Sequence, residues 1–345
     1  MNLRGLGRIR RIARRATNRF VPHAIILLYH RVIELPQDPQ LLCVKPAHFA
    51  EHLAVLRKWG RPLHLRSLGA ALANRTGSSM IIVTFDDGYA DNLYNAKPLL
   101  ARYDVPATVF VTAGYIGAKR EFWYDDLERI FLSPQPLPET LRLEMKGRLY
   151  ESTLESVGDQ DNREARERWD IGKKYDPSAR HRTYRALFEM LHPLPDEERQ
   201  DVLDRLAAWA GMDVVQRSTH RTLGTEELRL LARDRLIEIG AHTVTHPVLS
   251  RLPLRTQSQE IARSKVLLEE FLGDRLKSFA YPFGGRSHYT EATVAAVREA
   301  GFDNACSNFP GAVRRGSDPW QLPRYVVRDW DGAEFERQLE GWADA

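Results

Sequence analysis

Two adjacent carboxylates and two histidines four positions apart are the residues of this sequence best suited to chemistry. Asp86 and Asp87 follow the apolar run Met-Ile-Ile-Val at 80–83, and His242 and His246 follow a second short apolar run. Adjacent carboxylates raise one another's pKa, so they require a bound cation or a shared proton. One carboxylate and two imidazoles leave coordination positions open for water and substrate, which favours a catalytic metal site.

Other interpretations of these four residues are less favoured. A helical His-Glu-x-x-His zinc site does not fit, because no glutamate follows His242 and Pro247 disfavours helix at the residue before it. The aspartates could cap a helix, and the histidines could be ordinary turn residues. Capping uses one acid at most and leaves the paired histidines unexplained, so the metal interpretation is preferred.

Length and composition indicate an ordinary globular protein. The 345 residues suffice for one large domain or two smaller ones, and 43% of them are hydrophobic and 28% charged. Cys43 and Cys306 give no zinc or disulfide spacing, which fits a reducing compartment. No feature indicates a nucleic-acid partner, and the oligomeric state is left open.

The first twenty residues carry seven of the arginines behind the formal charge of +4. They lack the apolar core of a signal peptide, and no apolar stretch of the chain is long enough for a membrane span. The expected location is therefore cytoplasmic. Apolar residues at helical spacing among the arginines fit an amphipathic helix on the anionic inner face of the membrane, and a solvated basic tail is the alternative.

The main body alternates short apolar runs with amphipathic helical stretches, which is typical of parallel strands joined by crossover helices. Strands are predicted at 24–29, 80–85, 107–111, 237–241, 278–281 and 304–307, and helices at 46–59, 90–103, 225–235, 255–272 and 289–300. The alternation breaks between about 117 and 221, where we predict a mostly helical insertion. The predicted organisation is a basic segment at 1–21, the main domain at 22–335 and a tail at 336–345.

Chemistry-bearing residues follow several of the predicted strands directly. They include the aspartate pair, the two histidines, the turn after residue 280, and His30 at the end of the first strand. Ligands of parallel sheets bind at the carboxyl ends of the strands. We therefore expect these residues to converge on one edge.

Three motifs resemble those of the polysaccharide deacetylase family, also called the NodB-homology group or carbohydrate esterase family 4. They are Thr-Phe-Asp-Asp-Gly-Tyr at 84–89, His-Thr-Val-Thr-His-Pro at 242–247 and Phe-Ala-Tyr-Pro-Phe-Gly at 279–284. The resemblance covers approximately residues 22–116 and 220–335. It implies an α/β fold, a deformed (β/α) barrel of about seven parallel strands, and hydrolysis of an acetyl group.

The resemblance also implies a role for each motif residue. Asp87, His242 and His246 match the family's metal ligands, with Zn²⁺ as the expected ion, and Asp86 matches the base that deprotonates the attacking water. A backbone N–H near Tyr281 is expected to stabilise the oxyanion, although the tyrosine could equally belong to the core.

The sequence departs from the commonest family pattern in two places. No Leu-x-His segment follows Arg324, so the usual general acid is missing, and Lys-Ser at 277–278 replaces the usual arginine before the third motif. A subgroup resembling biofilm N-acetylglucosamine deacetylases has an early Tyr-His motif, which matches Tyr-His-Arg at 29–31. His30 is therefore the expected acid, with simple packing as the alternative. Arg324 is expected to brace Asp86, with a surface ion pair as the alternative.

The expected substrate is an N-acetylated sugar of a polysaccharide, glycolipid or precursor. Trp123 in the insertion could stack on a sugar ring or form the core of the insertion. Two other functions stay open: hydrolysis of a small non-sugar amide or imide, and carbohydrate binding without catalysis.

Overall fold

The computed structural model describes residues 23–73, 79–154 and 163–343. The chain divides into two units. A barrel unit comprises residues up to Glu34, Cys43–Ile116 and Leu223 onward, and an insertion unit comprises Leu35–Leu42 and Gly117–Thr222. The predicted basic segment at 1–21 lies outside the described residues, so its membrane contact stays a prediction. None of the described helices is long and apolar enough to cross a bilayer.

The strands and helices are numbered here in chain order. The strands are β1 His23–Tyr29, β2 Arg31–Val32, β3 Cys43–Val44, β4 Arg61–Pro62, β5 Met80–Phe85, β6 Ala107–Val111, β7 Thr140–Met145, β8 Arg148–Thr153, β9 Ile237–Ala241, β10 Ser278–Ala280, β11 Asn304–Cys306, β12 Val313–Arg314 and β13 Tyr325–Val326. The helices are α1 Pro46–Trp59, α2 Leu68–Ala73, α3 Lys97–Tyr103, α4 Trp123–Phe131, α5 Arg163–Glu167, α6 Ala179–Leu191, α7 Asp196–Ala210, α8 Thr225–Ala232, α9 Leu254–Leu272, α10 Glu291–Glu299 and α11 Gly332–Ala343.

A curled, mostly parallel sheet forms the centre of the barrel unit. Its strand order is β11-β10-β9-β6-β5-β1-β12, with β4 also paired to β5 and β13 to β1. Among these pairs only β1 with β12 is antiparallel within the described residues. This is the predicted deformed (β/α) barrel, and its parallel strands bring their carboxyl ends to one edge.

Both faces of the central strands are buried, which explains why they read as continuous apolar runs. In β1, Ala24 and Ile26 pack in a small cluster with Phe110 of β6, whereas Ile25 and Leu27 pack in the larger cluster that includes side chains of the surrounding helices. The alternation fixes which side chains face each layer, because neighbouring residues of a strand point to opposite faces.

Several elements differ from the sequence prediction. The helix predicted at 90–103 contains a π-helical turn, Asn92–Ala96, before α3 begins. The C-terminal tail predicted from 336 is instead most of α11, whose Phe335 and Leu339 are buried at helical spacing. The short strands β12 and β13 were not predicted, because two residues are too few to show a hydrophobic period.

In its described residues, 117–154 and 163–222, the insertion unit combines four helices, α4 to α7, with an antiparallel hairpin formed by β7 and β8. The hairpin departs from the predicted, mostly helical insertion. Its signal was the alternation in β7, where Leu141 and Leu143 are buried between exposed neighbours. Helix α4 lies at the centre of the unit, with all nine of its residues buried.

Candidate functional site

Three potential metal ligands meet at the carboxyl ends of β5 and β9. The side-chain exposures of Asp87, His242 and His246 are only 2%, 1% and 6%. The Oδ1 atom of Asp87 lies 3.6 Å from His242 Nε2 and 3.3 Å from His246 Nε2. The pairing of aspartate and histidines that the sequence suggested is therefore present in the structure.

Unusual backbone conformations direct these side chains. Asp87, Thr243 and His246 have φ angles of 75°, 64° and 55°, a region that residues other than glycine rarely adopt. Gly88 follows with a φ of 81°, and a Cβ at this position would approach Val111 Cγ1 to 3.1 Å. Strained backbone of this kind clusters at functional sites, where the surrounding structure maintains it.

Hydrogen bonds fix the loop that carries the two histidines. Glu260 of α9 accepts from the backbone N–H groups of Val244 and Thr245, both at 2.9 Å. The carbonyl of Ala280 lies 2.8 Å from His242 Nδ1. Because a carbonyl can only accept, Nδ1 carries the proton and the lone pair of Nε2 points to Asp87.

The cluster fits a divalent metal. Burial lowers the pKa of His242, which keeps its imidazole in the neutral form that binds metals. Metal–ligand bonds of 2.0–2.1 Å in a tetrahedral centre place neighbouring ligand atoms about 3.3–3.4 Å apart. The separations at Asp87 are close to this spacing and longer than a charge-assisted hydrogen bond, which is about 2.7–2.9 Å.

Asp86 is held by a buried arginine. Arg324 is 1% exposed, and its Nη1 and Nη2 donate to Oδ1 and Oδ2 of Asp86, both at 2.7 Å. Arg324 also donates from Nε to the Ser307 carbonyl at 2.7 Å and from Nη1 to Thr84 Oγ1 at 3.2 Å. The structure thus places Arg324 in a bidentate contact with Asp86, not in a surface ion pair.

The contact with Arg324 controls the ionisation of Asp86. Burial raises the pKa of the Asp86 carboxyl, but attraction by Arg324 and His242 outweighs it and leaves the pKa below its usual value. Asp86 Oδ2 lies 3.9 Å from His242 Nε2, so the carboxylate borders the metal cluster. An ionised carboxylate at this position can accept a proton from a water molecule bound at the cluster.

His30 belongs to the same group of residues. It follows β1 and lies close enough to Asp86 and His242 for their charges to affect its ionisation. Burial lowers the pKa of His30 to about 3, with Asp86 opposing the shift. The imidazole is therefore neutral at rest and must gain a proton before it can act as an acid.

A set of amide and carboxylate side chains that the sequence analysis did not select holds the backbone around His30. Asn92 Nδ2 donates to the His30 carbonyl at 2.9 Å, and Asn95 Nδ2 donates to the Val32 carbonyl at 2.7 Å. Asp91 accepts from the backbone N–H of Val32 at 2.9 Å and from Arg31 Nε at 3.0 Å.

The π-helical turn contains both asparagines of this network. The sequence pattern around this turn is that of an α-helix, because π-helical turns occur mostly as single turns inside α-helices, often at functional sites. The turn could therefore not be distinguished from the predicted helix. The spacing Asp-Asn-x-x-Asn at 91–95 was the available signal.

Tyr281 and Trp123 both lie in packed surroundings. The backbone N–H of Tyr281 donates to the Cys306 carbonyl at 3.1 Å, so this group is not the oxyanion donor, and a donor elsewhere in the turn near Tyr281 stays a prediction. The ring of Tyr281 stacks on Tyr289 at 4.0 Å. Trp123 is 0% exposed and stacks on Phe188 at 4.8 Å, so it forms core of the insertion unit and has no free face for a sugar.

The curled, mostly parallel sheet with its helices matches the deformed barrel of NodB-type deacetylases. The family model described as polysaccharide deacetylase matches residues 73–146 and 198–305, which together exceed half of the chain. The protein belongs to the polysaccharide deacetylase family.

Individual relatives agree with this assignment. The chain is 28% identical over 108 residues to YxkH of Bacillus subtilis (strain 168), a protein named for the same family. That match spans 30% of this chain and 37% of YxkH, so the chain covers well under half the length of this curated relative.

Solved structures show the same fold over nearly the whole chain. IcaB from Ammonifex degensii matches with a TM-score of 0.56 and 20% identity, covering 94% of this chain and 97% of IcaB. The Streptococcus pyogenes deacetylase PplD, solved in complex with acetate, matches with a TM-score of 0.54 and 16% identity, covering 91% and 97% of the two chains. At these identities the likeness concerns the fold.

Proposed function

We propose that this protein is a metal-dependent hydrolase that removes the acetyl group from an N-acetylated sugar of a polysaccharide, a glycolipid or a precursor of either. One observation carries the proposal. The Asp87, His242 and His246 cluster lies beside Asp86, which Arg324 keeps ionised, at the edge of a deacetylase-family barrel. A base beside a three-ligand metal cluster is the arrangement required to activate water.

The residues divide the reaction between them. Asp87, His242 and His246 would hold the metal, with Zn²⁺ the expected ion. When bound, the metal supplies Lewis acidity that polarises the acetyl carbonyl and lowers the pKa of water to about 7. Asp86 accepts the proton of the attacking water, and Arg324 holds the carboxylate in place for this transfer.

Departure of the amine requires a proton on the amide nitrogen. His30 is the proposed donor, because it lies next to Asp86 and the motif that contains it is at the edge where the ligands meet. Asp86 favours the protonated form of His30 electrostatically, which assists proton uptake during the reaction. His30→Gln should therefore slow acetate release while the bound metal is retained.

Removal of the metal tests the proposal directly. A chelator should abolish acetate release from N-acetylglucosamine oligomers, and added Zn²⁺ should restore it, because the cluster has no other source of Lewis acidity. His242→Ala should lose both the metal ion of this cluster and the activity. The half-buried His48, whose Nδ1 contacts Asp329, serves as a control, since His48→Ala leaves the cluster intact. Full activity after exhaustive metal removal would contradict the proposal.

The Asn92 contact with His30 provides a second test of the site. Asn92→Ala removes a partly buried hydrogen bond to the His30 carbonyl, and misplacement of a reacting group by about 1 Å can cost on the order of 100-fold in rate. We expect kcat for acetate release to fall about 10-fold or more, with KM and metal content little changed. Asn95→Ala, which loses the bond to Val32 beyond His30, should have a smaller effect. Equal kcat values for Asn92→Ala and the wild type would contradict a positioning role.

A further inference from the structure

A second cluster of possible metal ligands lies inside the insertion unit. Asp125 and Glu128 are one turn apart on α4, and His220 comes from the segment that ends the unit. Their exposures are 5%, 4% and 4%. One ligand atom from each lies within 4.8 Å of the other two. Neither the proposed reaction nor the family motifs use these residues.

The distance between His220 and Glu128 is too long for a strong hydrogen bond. His220 Nε2 lies 3.4 Å from Glu128 Oε2, whereas a charge-assisted hydrogen bond measures about 2.7–2.9 Å. This buried nitrogen makes no hydrogen bond to any residue in the described part of the chain. Two ligands of one tetrahedral ion with bonds of 2.0–2.1 Å lie about 3.3–3.4 Å apart, which matches the observed separation.

The His220 ring is oriented for this contact. Its Nδ1 lies 2.9 Å from Thr219 Oγ1, and its backbone N–H donates to the Arg217 carbonyl at 2.9 Å. In the tautomer that carries its proton on Nδ1, the hydroxyl accepts this hydrogen bond and the lone pair of Nε2 is directed at Glu128. Metal-binding histidines are held in this way by a hydrogen bond at their other ring nitrogen.

The charges around Glu128 also favour a cation. Arg217 donates to both oxygens of Glu121, at 2.7 Å from Nη2 to Oε2 and 3.0 Å from Nε to Oε1. The same guanidinium donates from Nη1 to Glu128 Oε1 at 3.1 Å. One positive charge thus serves two buried carboxylates, and the second oxygen of Glu128 faces His220.

We propose that Asp125, Glu128 and His220 bind a second divalent cation that fastens the end of the insertion unit to α4. A direct hydrogen bond between His220 and Glu128 would be shorter than the 3.4 Å that separates Nε2 from Oε2. An imidazole with two carboxylates suits Zn²⁺ or a similar divalent transition metal. The site contains none of the residues assigned to acetate release, so it stands apart from the proposed function.

Metal stoichiometry of the full chain tests this proposal. The protein is loaded with Zn²⁺, freed of unbound metal by gel filtration and measured by atomic emission. We expect two equivalents in the wild type, one in His242→Ala, one in His220→Gln and none in the double variant. His181→Gln is the matched control, because His181 is a buried histidine of the same unit outside the cluster, and it should keep both equivalents.

The His242→Ala variant decides the matter even if substitutions in the second cluster prevent folding, because it leaves that cluster intact. One equivalent of Zn²⁺ in this variant supports the second site, and none overturns it. Two equivalents in both the wild type and a folded His220→Gln or Glu128→Gln also overturn it. Two equivalents without acetate release would reject the proposed function alone, whereas a single, catalytic equivalent with acetate release would reject the second site alone.

Discussion

Asp86→Asn should lower kcat for acetate release by about 10³-fold, within the range of 10²–10⁴ that general acid–base catalysis supplies. The amide keeps the size of the carboxylate but cannot accept the proton of the attacking water. The metal ligands Asp87, His242 and His246 are unchanged, so the metal content should equal that of the wild type. Activity and bound metal are measured on the same preparation.

A matched control for Asp86→Asn is Asp303→Asn, because Asp303 is exposed and its carboxylate has a long surface contact with Arg275. It should have wild-type activity. Turnover of Asp86→Asn within a few-fold of the wild type would remove Asp86 from the proposed role. Loss of metal in that variant would instead assign Asp86 to the ligand set.

Arg324→Met should reduce both stability and activity. It leaves the buried Asp86 without its bidentate partner, and breaking a buried ion pair by removing one member costs about 3–5 kcal/mol. The Asp86 carboxylate also loses the two hydrogen bonds that hold it in place, so kcat should fall even in preparations that remain folded. Urea unfolding gives the change in the free energy of unfolding. Arg337→Met, at an exposed surface pair, should change it by less than about 0.5 kcal/mol.

The stability difference between the wild type and Arg324→Met should depend on pH in a defined direction. Burial raises the pKa of Asp86, but Arg324 and His242 hold it below the usual value of 3.8 in the folded protein. The group therefore stabilises the fold above the pKa of the unfolded chain, and this contribution is lost as pH falls through the folded pKa. The difference should be largest at neutral pH and shrink below about pH 4. A difference that grows as pH falls would contradict this account of the ion pair.

The parts of the site that could be predicted from sequence are those fixed by strand ends. The Asp86–Asp87 pair and His242 come directly after short, buried strands, and parallel strands leave their carboxyl ends at one edge. The barrel was predictable for the same reason. The position of Arg324 was harder to predict, because the two-residue strand that follows it is too short to show a hydrophobic period. The identity of Arg324 and its place in the chain nevertheless suggested a contact with Asp86.

The parts of the site that the sequence did not predict correctly depend on contacts between residues that are far apart in the chain. A backbone N–H at a strand end, such as that of Tyr281, is hydrogen-bonded within the sheet if the neighbouring strand extends beyond it. The sequence does not show how far the neighbouring strand extends. Trp123 was equally suited to a substrate cleft or to the core of the insertion unit. In the structure α6 packs against α4, and Trp123 lies in the core. The bonds of Asn92 and Asp91 to the His30 segment join residues about sixty positions apart.

The most direct test of the central claim is the product of the reaction. Zn²⁺-loaded protein is incubated with N-acetylglucosamine oligomers, and acetate and free amine are quantified beside Asp86→Asn as the blank. The proposed function predicts acetate and amine in equal amounts, well above the blank. No acetate above the blank from any N-acetylated sugar, with ring-opening of cyclic amides or with no hydrolysis at all, would contradict it.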